Sequence, residues 1–301
     1  MANSKQILRR QARVEKWQSA HPHIVDQLIR ERAHRLSQSR LWPFYRFFLN
    51  RLLGYKRAVA MADEIATRSG YDGFEYVSQE LQLKVNVTGL EHIPKTGLFI
   101  LAVNHPTGLA DGIAVFDALK KIRPDLIFFA NSDALRVSEG FKDIIIPVEW
   151  VEAKRSRTRT KETLISMTRA IKDERALLLF PSGRLAYIDD KKNIIEHEWQ
   201  PTVAILPRKY KCKIIPAHLS GRNSWLYYWF RSLNEELRDI TLFHELLNKH
   251  GKRFDLQIGP PIDYQDLPDN TEQGAAYLQE FVSQKMPRNI DWQSFKADKK
   301  F

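Results

Sequence analysis

The chain reads as an α/β protein: a largely parallel, mixed sheet flanked by helices, with an amphipathic helical segment ahead of it. Three observations predict this. Seven short apolar runs alternate with helix-compatible stretches from about residue 80 onward. Polar, glycine-bearing loops directly follow three of those runs, where open α/β sheets gather ligand-binding residues. The composition, 43% hydrophobic and 28% charged over 301 residues, is that of a globular chain with room for one large domain and an appendage. The expected division is a basic, aromatic helical segment over residues 1–75 and an α/β domain over 76–301.

Residues 1–40 read as basic and helical, interrupted near His21-Pro22-His23. Pro43 suits the first turn of a following helix and Gly54 its end. Between them lie Trp42, Phe44, Phe47 and Phe48, with Arg46, Asn50 and Arg51 as a narrow polar edge. A helix of about 12 residues reaches only ~18 Å, too short to span a bilayer. The pattern suits a helix lying in the interface, its aromatics in the acyl boundary and its arginines at the headgroups. The other reading is a helix packed on the domain core. Ala58–Arg68 supplies a second helix.

Charge favours the membrane reading. The chain carries a formal +11, and residues 1–57 hold thirteen Lys/Arg against three acids. A basic appendage on a near-neutral body needs an anionic partner, a membrane surface or a nucleic acid. No helix-turn-helix, zinc-finger or aromatic RNA-binding signature is present. An anionic membrane surface is therefore the expected partner, and no nucleic acid.

The expected strands are Leu83–Val87, Leu98–Val103, Leu126–Ala130, Ile144–Val148, Ala176–Phe180, Lys213–Leu219 and Phe254–Ile258. The expected helices are Ile113–Lys121, Thr158–Asp173, Val203–Tyr210, Leu226–Lys249 and Thr271–Gln284. In this register Asn104-His105-Pro106-Thr107-Gly108-Leu109-Ala110-Asp111-Gly112 follows one strand, Pro181-Ser182-Gly183-Arg184 a second, and Ser220-Gly221-Arg222-Asn223-Ser224 a third. Two readings fit the first loop. His105 and Asp111 form a dyad that deprotonates a substrate hydroxyl, or Asp111 caps a helix and His105 fills a turn. The single cysteine, Cys212, excludes an internal disulfide and suits a reducing compartment. There is no apolar leader and no uncharged run near the ~20 residues a bilayer needs. The expected location is the cytoplasmic face of the inner membrane, peripherally bound.

The runs NHPTGLADG, FPSG and IIPAHLSGRNS, in this order and spacing over residues 80–262, resemble the glycerolipid (lysophospholipid) acyltransferase family. The likeness is greatest to its bacterial hemolysin-like and ornithine-lipid acyltransferase-like subgroup. The resemblance implies acyl transfer from acyl-CoA or acyl carrier protein to a lysolipid hydroxyl, with no bound cofactor and no metal. It implies His105 as base and Asp111 as its orienting carboxylate. It makes Asn104, Gly108, Ser182, Gly183, Arg184, Gly221 and Asn223 candidate substrate-binding residues, and the basic, aromatic helices a membrane-docking element.

Three departures stand out. Five residues separate His105 from Asp111, where the family usually has four; the hemolysin-like subgroup shows the longer form. The motif usually reading FPEGTRS has Ser182 in place of its acid and its arginine one position early, at Arg184. The arginine usually following the second motif is absent after Ile146-Pro147-Val148-Glu149-Trp150, leaving Lys154, Arg155, Arg157 or Arg159 as substitutes. The expected acceptor is of the 1-acylglycerol-3-phosphate type, with lyso-ornithine lipid as the alternative. A non-enzymatic basic protein that binds anionic membrane or nucleic acid is the alternative of another class.

Overall fold

The computed structural model describes residues 22–149 and 156–299. It opens with four helices of nine or more residues, α1 (Ile24–Arg32), α2 (Trp42–Leu52), α3 (Tyr55–Ala66) and α4 (Gly70–Leu81). Pro43 lies in the first turn of α2. Gly54, left-handed at φ 69°, turns the chain from α2 into α3. The α/β part follows as β1 (Lys84–Thr88), β2 (Phe99–Val103), α5 (Leu109–Leu119), β3 (Ile127–Asn131), β4 (Ile145–Val148) and α6 (Arg157–Lys172). Next come β5 (Ala176–Leu179), a hairpin of β6 (Tyr187–Ile188) and β7 (Ile194–Ile195), α7 (Thr202–Tyr210) and β8 (Lys213–Leu219). After α8 (Trp225–Leu233), α9 (Glu235–Ile240) and α10 (Leu242–Leu247), the fold closes with β9 (Arg253–Ile258), α11 (Thr271–Glu280) and α12 (Trp292–Lys299).

Among the described residues seven strands form one sheet in the order β1-β9-β8-β2-β5-β3-β4. Strands β4, β3, β5, β2 and β8 are mutually parallel, and β9 pairs antiparallel with β8 and parallel with β1. The expected mixed, mostly parallel α/β sheet is thus the observed one. Strand β2 is central and buried along its whole length. Its alternate side chains serve opposite faces. Phe99, Leu101 and Val103 join Ala114 and Phe116 of α5, while Ile100 meets Met167 and Ala170 of α6 and Ala102 meets Val203 and Ala204 of α7. A strand covered on both faces must be apolar throughout, which is why it reads as an unbroken hydrophobic run.

Because β2, β5 and β8 are neighbours and parallel, their carboxyl ends, and the three polar loops, lie at one edge of the sheet. The expected strands and helices α5, α6 and α7 form within a few residues of their expected bounds.

Two expectations change. The helix expected over Leu226–Lys249 is three short helices, because Asn234 adopts an extended conformation and its side chain accepts from the amides of Glu236 and Leu237, starting a new helix. The boundary expected after residue 75 falls inside α4, and Val25, Met61, Ile65, Val77 and Leu81 share one buried cluster with Phe99 and Leu101. Helices α1, α3 and α4 thus pack into the core of the α/β part, while α2 joins a separate cluster through Trp42. Among the described residues no helix is long and apolar enough to cross a membrane.

Candidate active site

His105 leaves the end of β2 and Asp111 sits in the first turn of α5, fully buried. The loop between them wraps the carboxylate. Asp111 Oδ2 accepts from the amides of Thr107 (2.8 Å) and Gly108 (2.9 Å) and lies 2.9 Å from His105 Nδ1. The Thr107 hydroxyl donates to Oδ1. Asp111 thus caps its helix and orients the imidazole at once; the two readings of the loop are not alternatives. Within the five-residue gap Gly108 has a φ of 101°, which only glycine adopts freely. A Cβ there would also lie 2.5 Å from the Leu185 side chain.

A carboxylate can only accept, so the proton between His105 and Asp111 resides on Nδ1. This leaves the Nε2 lone pair to act as a base. The imidazole stacks on Phe180, with ring centroids 4.2 Å apart and planes 21° from parallel. Its side chain is 18% exposed, enough for an acceptor to reach it.

The peptide flanking His105 is held by a residue that the sequence did not single out. Glu196, just after β7, accepts the His105 amide at 2.8 Å through Oε1 and the Trp199 indole N–H at 2.9 Å through Oε2. The Ser182 hydroxyl stands 3.1 Å from Oε1 and 2.9 Å from the Arg184 carbonyl, so its single proton serves one of them at a time. The His105 carbonyl accepts the amide of Ala186 at 3.1 Å. Burial pushes the Glu196 carboxyl up to about 7, against the opposing pull of Trp199, the His105 amide, Ser182 and the His105 imidazole. No local pattern marks Glu196 in Ile194-Ile195-Glu196-His197; the one clue was the missing acid at Ser182.

The other expected site residues divide into scaffold and rim. Asn104 uses both side-chain groups on the Leu219 backbone, tying β2 to β8 (2.9 and 2.6 Å). Gly221 packs on Thr107; a Cβ there would come within 2.8 Å of its methyl. Asn223 turns inward, its carbonyl bound to buried Lys249 at 3.0 Å. Lys249 also pairs with Glu245 at 3.0 Å, and Glu245 takes the amide and hydroxyl of Ser224. Asn104, Gly221 and Asn223, expected to touch substrate, also make contacts within the loops and strands of the fold. Gly183 closes a turn, its amide donating to Phe180. With the Thr107 and Gly108 amides on Asp111, those three N–H groups are committed within the loops and are not free for an oxyanion.

Arg184 is exposed on the rim. Burial and the charges of Arg184, Arg231 and Arg238 hold the His197 imidazole below its ordinary value, which marks a cationic flank here. Arg155 lies outside the described residues. Arg159, its near neighbour, is ion-paired with Glu149. Cys212 is buried in the core, which pushes its thiol up to about 11 and suits a bystander.

The expected lipid-facing helix is sorted by the structure. Trp42 is only 7% exposed and packs with Leu53, Leu226 and Phe230. Arg46 pairs with Asp26 at 2.5 Å instead of reaching outward. Both leave the expected docking set, because they fill the inner side of α2. Phe44 (62% exposed), Phe47 (66%) and Phe48 form its outer side, with Arg51 exposed beside them. Helix α8 joins α2 through the Trp42 cluster and carries an exposed row of its own, Trp225 (74%), Trp229 and Leu233.

The family model described as Acyltransferase matches residues 84–220, the stretch that builds all three loops. Residues 84–220 thus resemble the acyltransferase family. The chain is an acyltransferase that acts on a lysolipid hydroxyl. Two curated relatives are both named lyso-glycine lipid O-acyltransferase. One, from Bacteroides thetaiotaomicron, is 24% identical over 86% of this chain and 95% of its own. The other, from Phocaeicola vulgatus, is 24% identical over 78% of this chain and 86% of its own. A crystal structure of the 1-acyl-sn-glycerophosphate (LPA) acyltransferase PlsC from Thermotoga maritima aligns with 87% of this chain and 95% of that one, at 16% identity and a TM-score of 0.46. That likeness is too loose to carry any argument.

Proposed function

We propose that this acyltransferase esterifies the free hydroxyl of a lysolipid whose headgroup is an amino acid, in the manner named for its lyso-glycine lipid relatives. The observation that carries the chemistry is the 2.9 Å contact of His105 Nδ1 with a fully buried carboxylate, which leaves Nε2 as the base. The acceptor class is supported by the names of both curated relatives. It is also supported by the absence of an arginine after Ile146-Pro147-Val148, where the related phosphate-gripping enzymes carry one. An amino-acid headgroup offers a single carboxylate, for which the rim cation Arg184 suffices.

His105 Nε2 takes the acceptor O–H proton as that oxygen attacks the thioester carbonyl of acyl-CoA or acyl carrier protein. Asp111 steadies the imidazolium. The tetrahedral intermediate collapses as its C–S bond breaks, and the imidazolium returns the proton to the leaving thiolate. A C–O and an S–H bond form; an O–H and a C–S bond break. No bound cofactor enters these steps. The exposed aromatics of α2 and α8, with Arg51 beside them, would seat the enzyme on an anionic membrane at the cytoplasmic face.

The test is His105→Ala assayed with labelled acyl-CoA against lyso-glycine lipid, lyso-ornithine lipid and lysophosphatidate. Loss of a positioned base lowers turnover by about 10²–10⁴-fold, and the wild type should favour the amino-acid lipids. Turnover like wild type in the variant would sink the dyad, and a preference for lysophosphatidate would sink the acceptor.

A further inference from the structure

We propose that Glu196 is a positioning residue for His105, supplying from the hairpin the acid that the motif lacks at Ser182. This rests on the reading of His105 as the base. Three loops meet on this one carboxylate: the His105 amide from the end of β2, the Ser182 hydroxyl from the end of β5, and the Trp199 indole from the approach to α7. With the Ala186 amide on the His105 carbonyl, both polar groups of the His105 main chain are held by the segment that runs from β5 through the hairpin. The same segment supplies Phe180, on which the imidazole lies. Asp111 fixes only the ring's Nδ1.

The backbone that carries the ring is therefore set by Glu196, and the ring's direction by Asp111. Serine at 182 fits this arrangement. An acid there would put a second carboxylate within reach of Glu196, and like charges so close cannot both ionise. One acid from either source satisfies the pocket. Glu196 does not touch the reacting atoms, so its loss misplaces the base without removing it. A displacement of about 1 Å at a catalytic group is enough to lower turnover about 100-fold.

The experiment compares Glu196→Ala, Glu196→Gln and the double variant Ser182→Glu/Glu196→Ala in the full chain. Expected for the alanine variant is a fall in kcat of about 100-fold with KM little changed. The glutamine variant keeps one acceptor oxygen and should lose less. The double variant, with an acid restored at the motif position, should recover most of the lost kcat. A folded alanine variant that keeps wild-type kcat overturns the proposal, as does a double variant no better than the alanine one. A readout independent of turnover is the low-field Nδ1–H proton resonance of His105. It should be sharp in the wild type and broadened in Glu196→Ala; an unchanged signal also overturns the proposal. If the wild-type enzyme acylates no lysolipid while this resonance still answers to Glu196, the acceptor reading falls and the positioning role stands.

Discussion

The carboxyl edge of the sheet and the outer faces of α2 and α8 use aromatic side chains in opposite ways. At the sheet edge Phe180 is packed under an imidazole whose Nδ1 and main-chain N–H and C=O are all bound, leaving Nε2 open. On the helices Phe44 and Phe47 pack on Phe48, and Trp225 on Trp229, with all of them largely exposed. The first region is finished before any ligand arrives, so the geometry needed for proton transfer costs nothing further at the moment of reaction. The second is unfinished: contiguous exposed apolar surface is unfavourable in water and becomes favourable once something covers it. In the proposed function the chemistry is preorganised and a membrane surface covers the exposed aromatics.

Three measurements would break or sharpen that contrast. The largest effect belongs to Asp111→Asn. The amide keeps one oxygen for the Thr107 and Gly108 amides and His105 Nδ1, but sets N–H groups against the donating Thr107 hydroxyl and removes the charge that steadies an imidazolium, so it costs both the base and the loop. Turnover should fall about 10⁴-fold, with a lower melting temperature by calorimetry. A variant that loses activity and keeps its stability would show that the loop is held by other contacts.

Next is the triple change Phe44→Ser, Phe47→Ser and Phe48→Ser, alongside Trp225→Ala/Trp229→Ala. Burial of each large apolar side chain is worth about 1.5–3 kcal/mol, so the triple variant should lose at least about 100-fold in partitioning to anionic vesicles in co-sedimentation. Its kcat with a short-chain, dispersed acceptor should be unchanged, because these side chains support no part of the site. Unchanged vesicle binding in both variants would show that neither helix is the docking face.

The smallest effect is a pH dependence confined to the sheet edge. The Glu196 carboxyl is raised from 4.5 to about 7 in the fold. The folded state thus binds more protons than the unfolded one between these values. The stability this group contributes is present at low pH and is lost as pH rises through about 7. Glu196→Gln removes the titration. The melting temperature of wild type relative to that variant should therefore decline between pH 5 and pH 8, and a constant difference would show that the carboxyl is not desolvated. The aromatic variants should leave this profile untouched.

Much of this protein was legible in the chain itself. The strands were readable because a strand buried on both faces must be apolar throughout, as β2 is. His105 and Asp111 were readable because short-range loop geometry brings residues six apart together at the start of a helix. Gly54 and Pro43 announced the ends of α2 through backbone preference alone. Other features needed the folded state. Trp42 and Phe44 are two residues apart and chemically alike, yet one is buried and one exposed, because only packing against α8 fixes which side of α2 faces inward. Asn104 and Asn223 read from the chain as ligand contacts; that they also bind the Leu219 backbone and Lys249 was decided only by the fold. Glu196 had no signal of its own: it lies 91 positions from His105, and the hydrogen bond between them exists only because the sheet order sets β5 beside β2.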